Sequence, residues 1–299
     1  MTALKCWIGL AVSLVAASGG CSKAPQAPGA DAAKPAGGWT ATKIGIESGF
    51  QTPESVLVNA DTGAAYVSNI LLTTGGPWAD DGNAFISLLL PTGEIDKLKW
   101  RVSTPTTPMS SPKGMCLLKG TLYAADVTHV DCFARDGTYK RIDPPGAKML
   151  NDMVTDGRSA YVSDTGTGKI WRLADTPTAI VEVPSANGIT FHGGKMLAVS
   201  WGDHDIYEVD PNGAAPPKPF GLAGHFKSLD GIEVIDDGTV LVSDFTGNKV
   251  CAVAADRRTV TTLIEIQTPA DIGLDHQRLK LFVPMFEANK VAVYRLEHK

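Results

Sequence analysis

Cysteine is scarce in this chain and never spaced for pairing. Of five cysteines in 299 residues, Cys6 and Cys21 fall in an N-terminal segment, leaving Cys116, Cys132 and Cys251 with no Cys-x-x-Cys among them. A disulfide framework and a thiolate zinc site are thereby excluded. Cys116 and Cys132 are expected on the first and third strands of one sheet, roughly 10 Å apart and beyond bridging distance. A basic cluster is also missing: 27 Lys and Arg stand against 32 Asp and Glu, a net charge of −5, which argues against a nucleic-acid partner. The N-terminal apolar stretch, Cys6 to Ala17, has only twelve residues, too few for an ordinary transmembrane helix. No Gly-x-Ser-x-Gly elbow, phosphate-binding glycine loop or Ser/His/Asp constellation occurs, which removes the usual nucleophilic and nucleotide-binding classes.

What is present begins with a processing segment. Lys5 and the apolar stretch after it have the form of a signal peptide over residues 1–20. Ser18-Gly19-Gly20-Cys21 resembles the lipobox of bacterial lipoproteins, with Ser18 in place of the usual large aliphatic residue. This implies acylation of Cys21 and a lipid-anchored protein of the bacterial cell envelope facing the periplasm; Ser22 after the cysteine points to the outer membrane. Residues 21–39, rich in Ala, Pro and Gly, cannot build a core and form a tether.

After residue 50 one phrase recurs six times. Its copies begin at Glu54, Lys113, Asn151, Asn187, Asp230 and Ala270, at intervals of 59, 38, 36, 43 and 40 residues. Each is followed by a turn and a second apolar run, as in Ala65-Tyr-Val-Ser-Asn69 and Val240-Leu-Val-Ser-Asp244. Such spacing is that of propeller blades. The expectation is an all-β, six-bladed β-propeller over residues 40–297 with four strands per blade. The third repeat, for example, supplies strands near 151–155, 159–163, 168–173 and 179–183. The sixth repeat ends one strand short, and Ala41–Ile46 followed by Gln51-Thr52-Pro53 parallels Thr261–Ile266 followed by Gln267-Thr268-Pro269. The N-terminal strand 41–46 is therefore expected to complete blade six and close the ring. Aspartates after the second strands, such as Asp164 and Asp244, are expected to accept turn hydrogen bonds.

The first residues of the innermost strands meet at one mouth of the central channel. Glu54, Asn151, Asn187 and Asp230 there are hard oxygen donors and suit a divalent cation, Ca2+ best, with Mg2+ or Mn2+ also accommodated. Asp152 beside Asn151 could orient that amide or hold a ligated water. Lys113 enters the same ring. It either clamps an anionic substrate or pairs with Glu54 or Asp230 in place of a metal. His129 and His204, expected to begin third strands, are acid–base candidates on the same face. Trp201, Phe245 and Phe286 could wall an apolar pocket or pack blade on blade, and residues 70–82 form an insertion that could lid it.

These positions resemble the SMP-30/gluconolactonase/LRE-like family, related to the diisopropyl-fluorophosphatase and paraoxonase propellers. That family takes a Glu from blade one, an Asn of an Asn-Asp pair from blade three, an Asn of Asn-Gly from blade four and an Asp of Asp-Gly from blade five. The matching positions are Glu54, Asn151-Asp152, Asn187-Gly188 and Asp230-Gly231. The resemblance implies a metal held by Glu54, Asn151, Asn187 and Asp230. Where gluconolactonase-type enzymes carry an Arg two residues before the first Asn, this chain has Met149, so sugar-lactone specificity does not carry over.

The resulting expectation is a metal-dependent hydrolase of small esters, lactones or phosphoesters. Asp230 would be base or nucleophile and Lys113 an anion contact, in a monomer whose only membrane attachment is its lipid anchor. The rival class is a non-catalytic, NHL-like ligand- or protein-binding propeller, since the fold hosts both.

Overall fold

The computed structural model describes residues 38–299; the expected signal peptide, Cys21 and nearly all of the expected tether lie outside them. Six four-stranded antiparallel sheets follow one another along the chain. The third comprises Leu150–Thr155, Ala160–Asp164, Lys169–Leu173 and Thr178–Glu182, within a residue or two of the expected spans. Blade four has the weakest outer strand, only Lys218–Pro219, because the prolines around it remove backbone donors.

Closure occurs as the repeat predicts. Strand Trp39–Ser48 pairs antiparallel with Lys290–His298 from Trp39↔His298 to Ser48↔Lys290 and supplies the fourth strand of blade six. Trp39 is buried among Leu241, Ile264, Tyr294 and Leu296, and its indole N–H donates to Asp237 Oδ2 of blade five at 2.8 Å. The inner end is sealed as well: Asp271 N–H donates to Glu54 O at 2.9 Å and Val56 N–H to Asp271 O at 3.2 Å, a parallel bridge between blades six and one. The Thr-Pro parallel has a physical basis. Thr52 and Thr268 both take left-handed φ, 50° and 39°. Their N–H groups donate to Asn289 Oδ1 at 2.7 Å and Asn248 Oδ1 at 2.9 Å of the preceding blade.

Each of the first five inner strands carries a bulge at one place. Register shifts fall between 53 and 56, 112 and 115, 150 and 153, 186 and 189, and 229 and 232. The serine of the repeated Val-Ser-Asn/Asp phrase bonds the N–H that the bulge frees. Ser68 Oγ accepts from Ser55 N–H at 3.0 Å, Ser163 Oγ from Asp152 at 2.9 Å and Ser243 Oγ from Gly231 at 2.7 Å. The following carboxylates bind the chain entering the inner strand: Asp126 accepts from Ser110 and Ser111, Asp164 from Lys148 and Met149, and Asp244 from Lys227 and Ser228. These aspartates act as the turn and strand acceptors expected of them.

Cores lie between blades, as where Leu197, Val199 and Ile206 of blade four meet Ile232, Val242 and Cys251 of blade five. Cys116, Cys132 and Cys251 are all free and buried. Cys116 and Cys132 flank Tyr123 across two strand pairings. No helix among the described residues is long and apolar enough to cross a membrane.

Candidate metal centre at the channel mouth

The bulges aim two successive residues of each inner strand into the channel, and re-aiming a side chain is a common use of a bulge. The ring residues are the second of each inner strand rather than the first, since those strands begin at Pro53, Pro112, Leu150, Ala186 and Leu229. The next layer is Ser55, Gly114, Asp152, Gly188, Gly231 and Asp271. Its glycines reflect crowding: a Cβ on Gly114 would strike the Asp152 backbone, and one on Gly231 the Asp271 backbone and carboxylate. The Xaa-Gly dipeptides are thus imposed by close strand approach as much as by any ligand.

Glu54, Lys113, Asn151, Asn187 and Asp230 are all buried. Lys113 Nζ lies 3.6 Å from Glu54 Oε1 and 4.1 Å from the centroid of the Trp78 ring. Trp78 belongs to a short 3-10 turn, Gly76–Trp78, in the expected insertion. The insertion is pinned to blade two: Ser110 Oγ donates to Asp80 Oδ1 at 2.7 Å and accepts from Gly82 N–H at 3.0 Å, and Ser111 Oγ donates to Ala79 O at 2.9 Å. Residues 70–82 therefore form a flap, with Trp78 stacked over the ring lysine.

The amide nitrogens of the ring are both engaged. Asn187 Nδ2 donates to Asp230 Oδ1 at 2.8 Å and Asn151 Nδ2 to Thr165 Oγ1 at 3.2 Å. Thr165 Oγ1 in turn donates to Ala186 O at 2.7 Å. Glu54 Oε2, Asn151 Oδ1 and Asn187 Oδ1 are buried with no hydrogen-bond partner. Three blades thus present unsatisfied oxygens beside the Asp230 carboxylate, and leaving such groups buried and unpaired costs about 1–3 kcal/mol each. Lys113 answers only one oxygen of Glu54. The donor set fits a hard divalent cation, which two carboxylates and two amide oxygens would hold.

The electrostatics agree. Burial raises the Glu54 carboxyl above its ordinary range against the opposing pull of Lys113. Burial and then the Glu54 charge raise Asp230 well above its ordinary value. Beneath the ring, burial pushes Asp152 up to about 7 even though it accepts Ile189 and Met153 N–H, each at 2.6 Å. Asp152 thus ties blade three to blade four, and Thr165, not Asp152, orients the Asn151 amide. Asp271 accepts from Ser55 Oγ and is likewise raised well above the ordinary range by burial and by Asp152.

Thr165 was not singled out in the sequence. Its N–H donates to Met149 O, as those of Trp201, Phe245 and Phe286 donate to Ser185, Ser228 and Thr268 O, so the four share one repeat position just outside the ring. Trp201–Phe245 and Phe245–Phe286 centroids are 5.6 and 5.5 Å apart. The aromatics form a half-buried arc over blades four to six, packing blade on blade while bordering the mouth. His204 precedes its third strand, Ile206–Val209, with φ of 59°. His129 begins its strand but points into a buried pair of aspartates, at 3.9 Å from Asp126 Oδ2 and 3.5 Å from Asp131 Oδ1. Asp126, His129 and Asp131 offer ligand atoms within 4.8 Å of one another, a second group able to hold a metal.

From the opposite face a funnel of about 520 Å3 reaches Ser55, Asp152 and Asp271 and is lined farther out by Glu233 and Arg135. Protein crowding pushes the Glu233 carboxyl up to about 8. A raised carboxyl contributes stability that is complete below the unfolded value near 4.5 and is lost as pH rises through about 8. Glu233→Gln removes this dependence. Its melting temperature is expected to match wild type at pH 4.5 and to exceed it by several degrees at pH 8.5, in paired thermal melts. Equal offsets at both pH values would show that Glu233 ionises freely in the fold.

No family model matches the chain, and no curated protein matches it in sequence. Its likenesses are of structure. A protein provisionally assigned as a gluconolactonase superposes with a TM-score of 0.65 at 17% identity, over 88% of this chain and 93% of its own. Luciferin-regenerating enzyme gives 0.63 at 14% identity, over 87% and 95%. A catalytically inactive variant of virginiamycin B lyase from Staphylococcus aureus, solved with quinupristin, gives 0.59 at 14% identity, over 86% and 99%. The chain is a six-bladed β-propeller, and at such identities the likeness to these proteins is one of fold.

Proposed function

We propose that this propeller is a divalent-cation-dependent hydrolase of small esters, lactones or phosphoesters, with Glu54, Asn151, Asn187 and Asp230 holding Ca2+. The observation that carries the reading is the set of three unpartnered buried oxygens, Glu54 Oε2, Asn151 Oδ1 and Asn187 Oδ1, grouped with a carboxylate. The fold neighbours support the class without fixing the substrate. A bound cation would supply Lewis-acid polarisation of the scissile carbonyl or phosphoryl oxygen.

The chain's own groups do the rest. Asp230 Oδ1 is fixed by the Asn187 amide, which leaves Oδ2 to take a proton from attacking water. Lys113, held between Glu54 and Trp78, places a positive charge beside the site and favours substrates that carry or develop negative charge. The flap excludes water from one side, and the arc Trp201–Phe245–Phe286 receives the apolar part of a substrate. The mature protein is proposed to act as a monomer tethered by acylated Cys21 on the periplasmic face of the outer membrane.

The test is a panel of lactones, aryl esters and phosphotriesters with Ca2+, Mg2+ or Mn2+. At least one substrate is expected to turn over. Asp230→Ala should lose about a hundredfold or more in kcat/KM, in line with loss of a general base. Lys113→Ala should chiefly raise KM for anionic substrates. If wild type never exceeds the Asp230→Ala control on any substrate, the propeller is a binding module.

A further inference from the structure

We propose that Asp126, His129 and Asp131 form a second metal site, selective for a borderline divalent cation such as Zn2+, that buttresses the flap over the ring. The inference does not depend on the function proposed for the ring. It begins from a departure between repeats. Asp126 occupies the position of Asp164 and Asp244, and its strand partner His129 that of Lys169 and Lys249. In blade five the lysine answers the aspartate, with Lys249 Nζ 3.6 Å from Asp244 Oδ2. Two residues on, blades three and five bury the apolar Trp171 and Cys251, whereas blade two buries Asp131 at 0% exposure. A carboxylate in a core position is costly unless it is paired.

The pairing on hand is incomplete. Asp131 Oδ1 accepts from Tyr139 Oη at 2.7 Å, but Asp131 Oδ2 is buried and unpartnered. A protonated imidazole would leave two buried carboxylates against one positive charge. A divalent cation beside neutral imidazole balances both. The separations of 3.5 and 3.9 Å from His129 Nε2 to Asp131 Oδ1 and Asp126 Oδ2 are near the roughly 3.0–3.6 Å between ligands about 2.1 Å from one cation. One imidazole and two carboxylates suit Zn2+, whereas Ca2+ asks for six or more oxygens.

The consequence reaches the flap through a chain of hydrogen bonds. Asp126 Oδ2 and Oδ1 accept from the N–H groups of Ser110 and Ser111 at 2.6 and 2.7 Å. Those two serines hold Ala79, Asp80 and Gly82 through their hydroxyls. Each carboxylate oxygen keeps a second lone pair for a metal, so a bound ion would fix Asp126 and, through it, the flap that carries Trp78.

The experiment takes the full chain, stripped by a chelator, and titrates it with Zn2+ in a calorimeter. One equivalent should bind, survive Glu54→Gln, and weaken at least tenfold in His129→Gln and Asp131→Asn. Zn2+ should also slow proteolysis within residues 70–82 of wild type and not of His129→Gln. Uptake of Zn2+ that neither variant weakens would overturn the site. Should both variants fail to fold, histidine-labelled wild type decides by NMR. Zn2+ should shift the resonances of the one solvent-protected imidazole, and an unmoved buried imidazole would assign the group as a proton-sharing triad instead.

Discussion

Deleting residues 39–48 should abolish cooperative unfolding and send the protein into aggregates, whereas deleting residues 22–36 should leave the melt unchanged. The removed strand makes nine register pairs with Lys290–His298 and carries Trp39 into the core between blades five and six. Losing one buried large aromatic alone costs about 3–5 kcal/mol, against a whole-domain stability of about 5–15 kcal/mol. The Trp39–Asp237 bond to blade five is lost as well. What remains is an open edge along Lys290–His298 with its N–H and C=O groups unpaired, a template for intermolecular pairing. The inner bridge between residues 54–56 and 271 cannot compensate, because it joins blades one and six only at the channel wall. Thermal melts followed by circular dichroism, with light scattering, decide the matter. Equal behaviour of the two truncations would mean that the outer strand is dispensable.

The blade repeat, the ring and the closing strand were legible because each follows from a position that recurs six times. Periodic apolar runs define strands, and a residue at fixed register among converging strands must face the channel. The phrase Val-Ser-Asn/Asp was visible too, yet its meaning depends on a bulge that composition does not reveal. Only the structure shows Ser68, Ser163 and Ser243 bonding the freed N–H groups. The bulge also explains why residue 54 and residue 55 both look into the channel, which simple alternation forbids. Thr165 escaped notice since its partners, Asn151 and Ala186, come from the inner strand of its own blade and from the next blade. Asp131 sits in a strand whose alternation marks it as a core position. A single polar residue there gives no hint of whether His129, Tyr139 or solvent answers it.

Removing divalent cation with EDTA should lower the melting temperature by roughly 5–10 °C, and Asp230→Ala should remove the part of that shift that belongs to the ring. The magnitude follows from linkage: ligand at a hundredfold excess over Kd stabilises by about 2.7 kcal/mol, and each kcal/mol moves the midpoint of a domain this size by about 2–4 °C. The physical origin is the buried oxygens that lack partners when no cation is bound, Glu54 Oε2, Asn151 Oδ1 and Asn187 Oδ1. Lys113 answers these oxygens only in part. Its single charge meets one oxygen of Glu54, while burial and then the Glu54 charge raise the Asp230 carboxyl above its ordinary value. Asp230→Ala removes a ligand and also the acceptor of the Asn187 amide, so the variant loses stability of its own while its ring becomes indifferent to chelator. Run in His129→Gln, the same comparison isolates the ring from the blade-two group. A Ca2+-dependent shift that persists there and vanishes in Asp230→Ala places the hard-cation site at the channel mouth. A wild type without stoichiometric metal and without any chelator effect would assign the ring to the Lys113–Glu54 ion pair and turn the functional reading toward ligand binding.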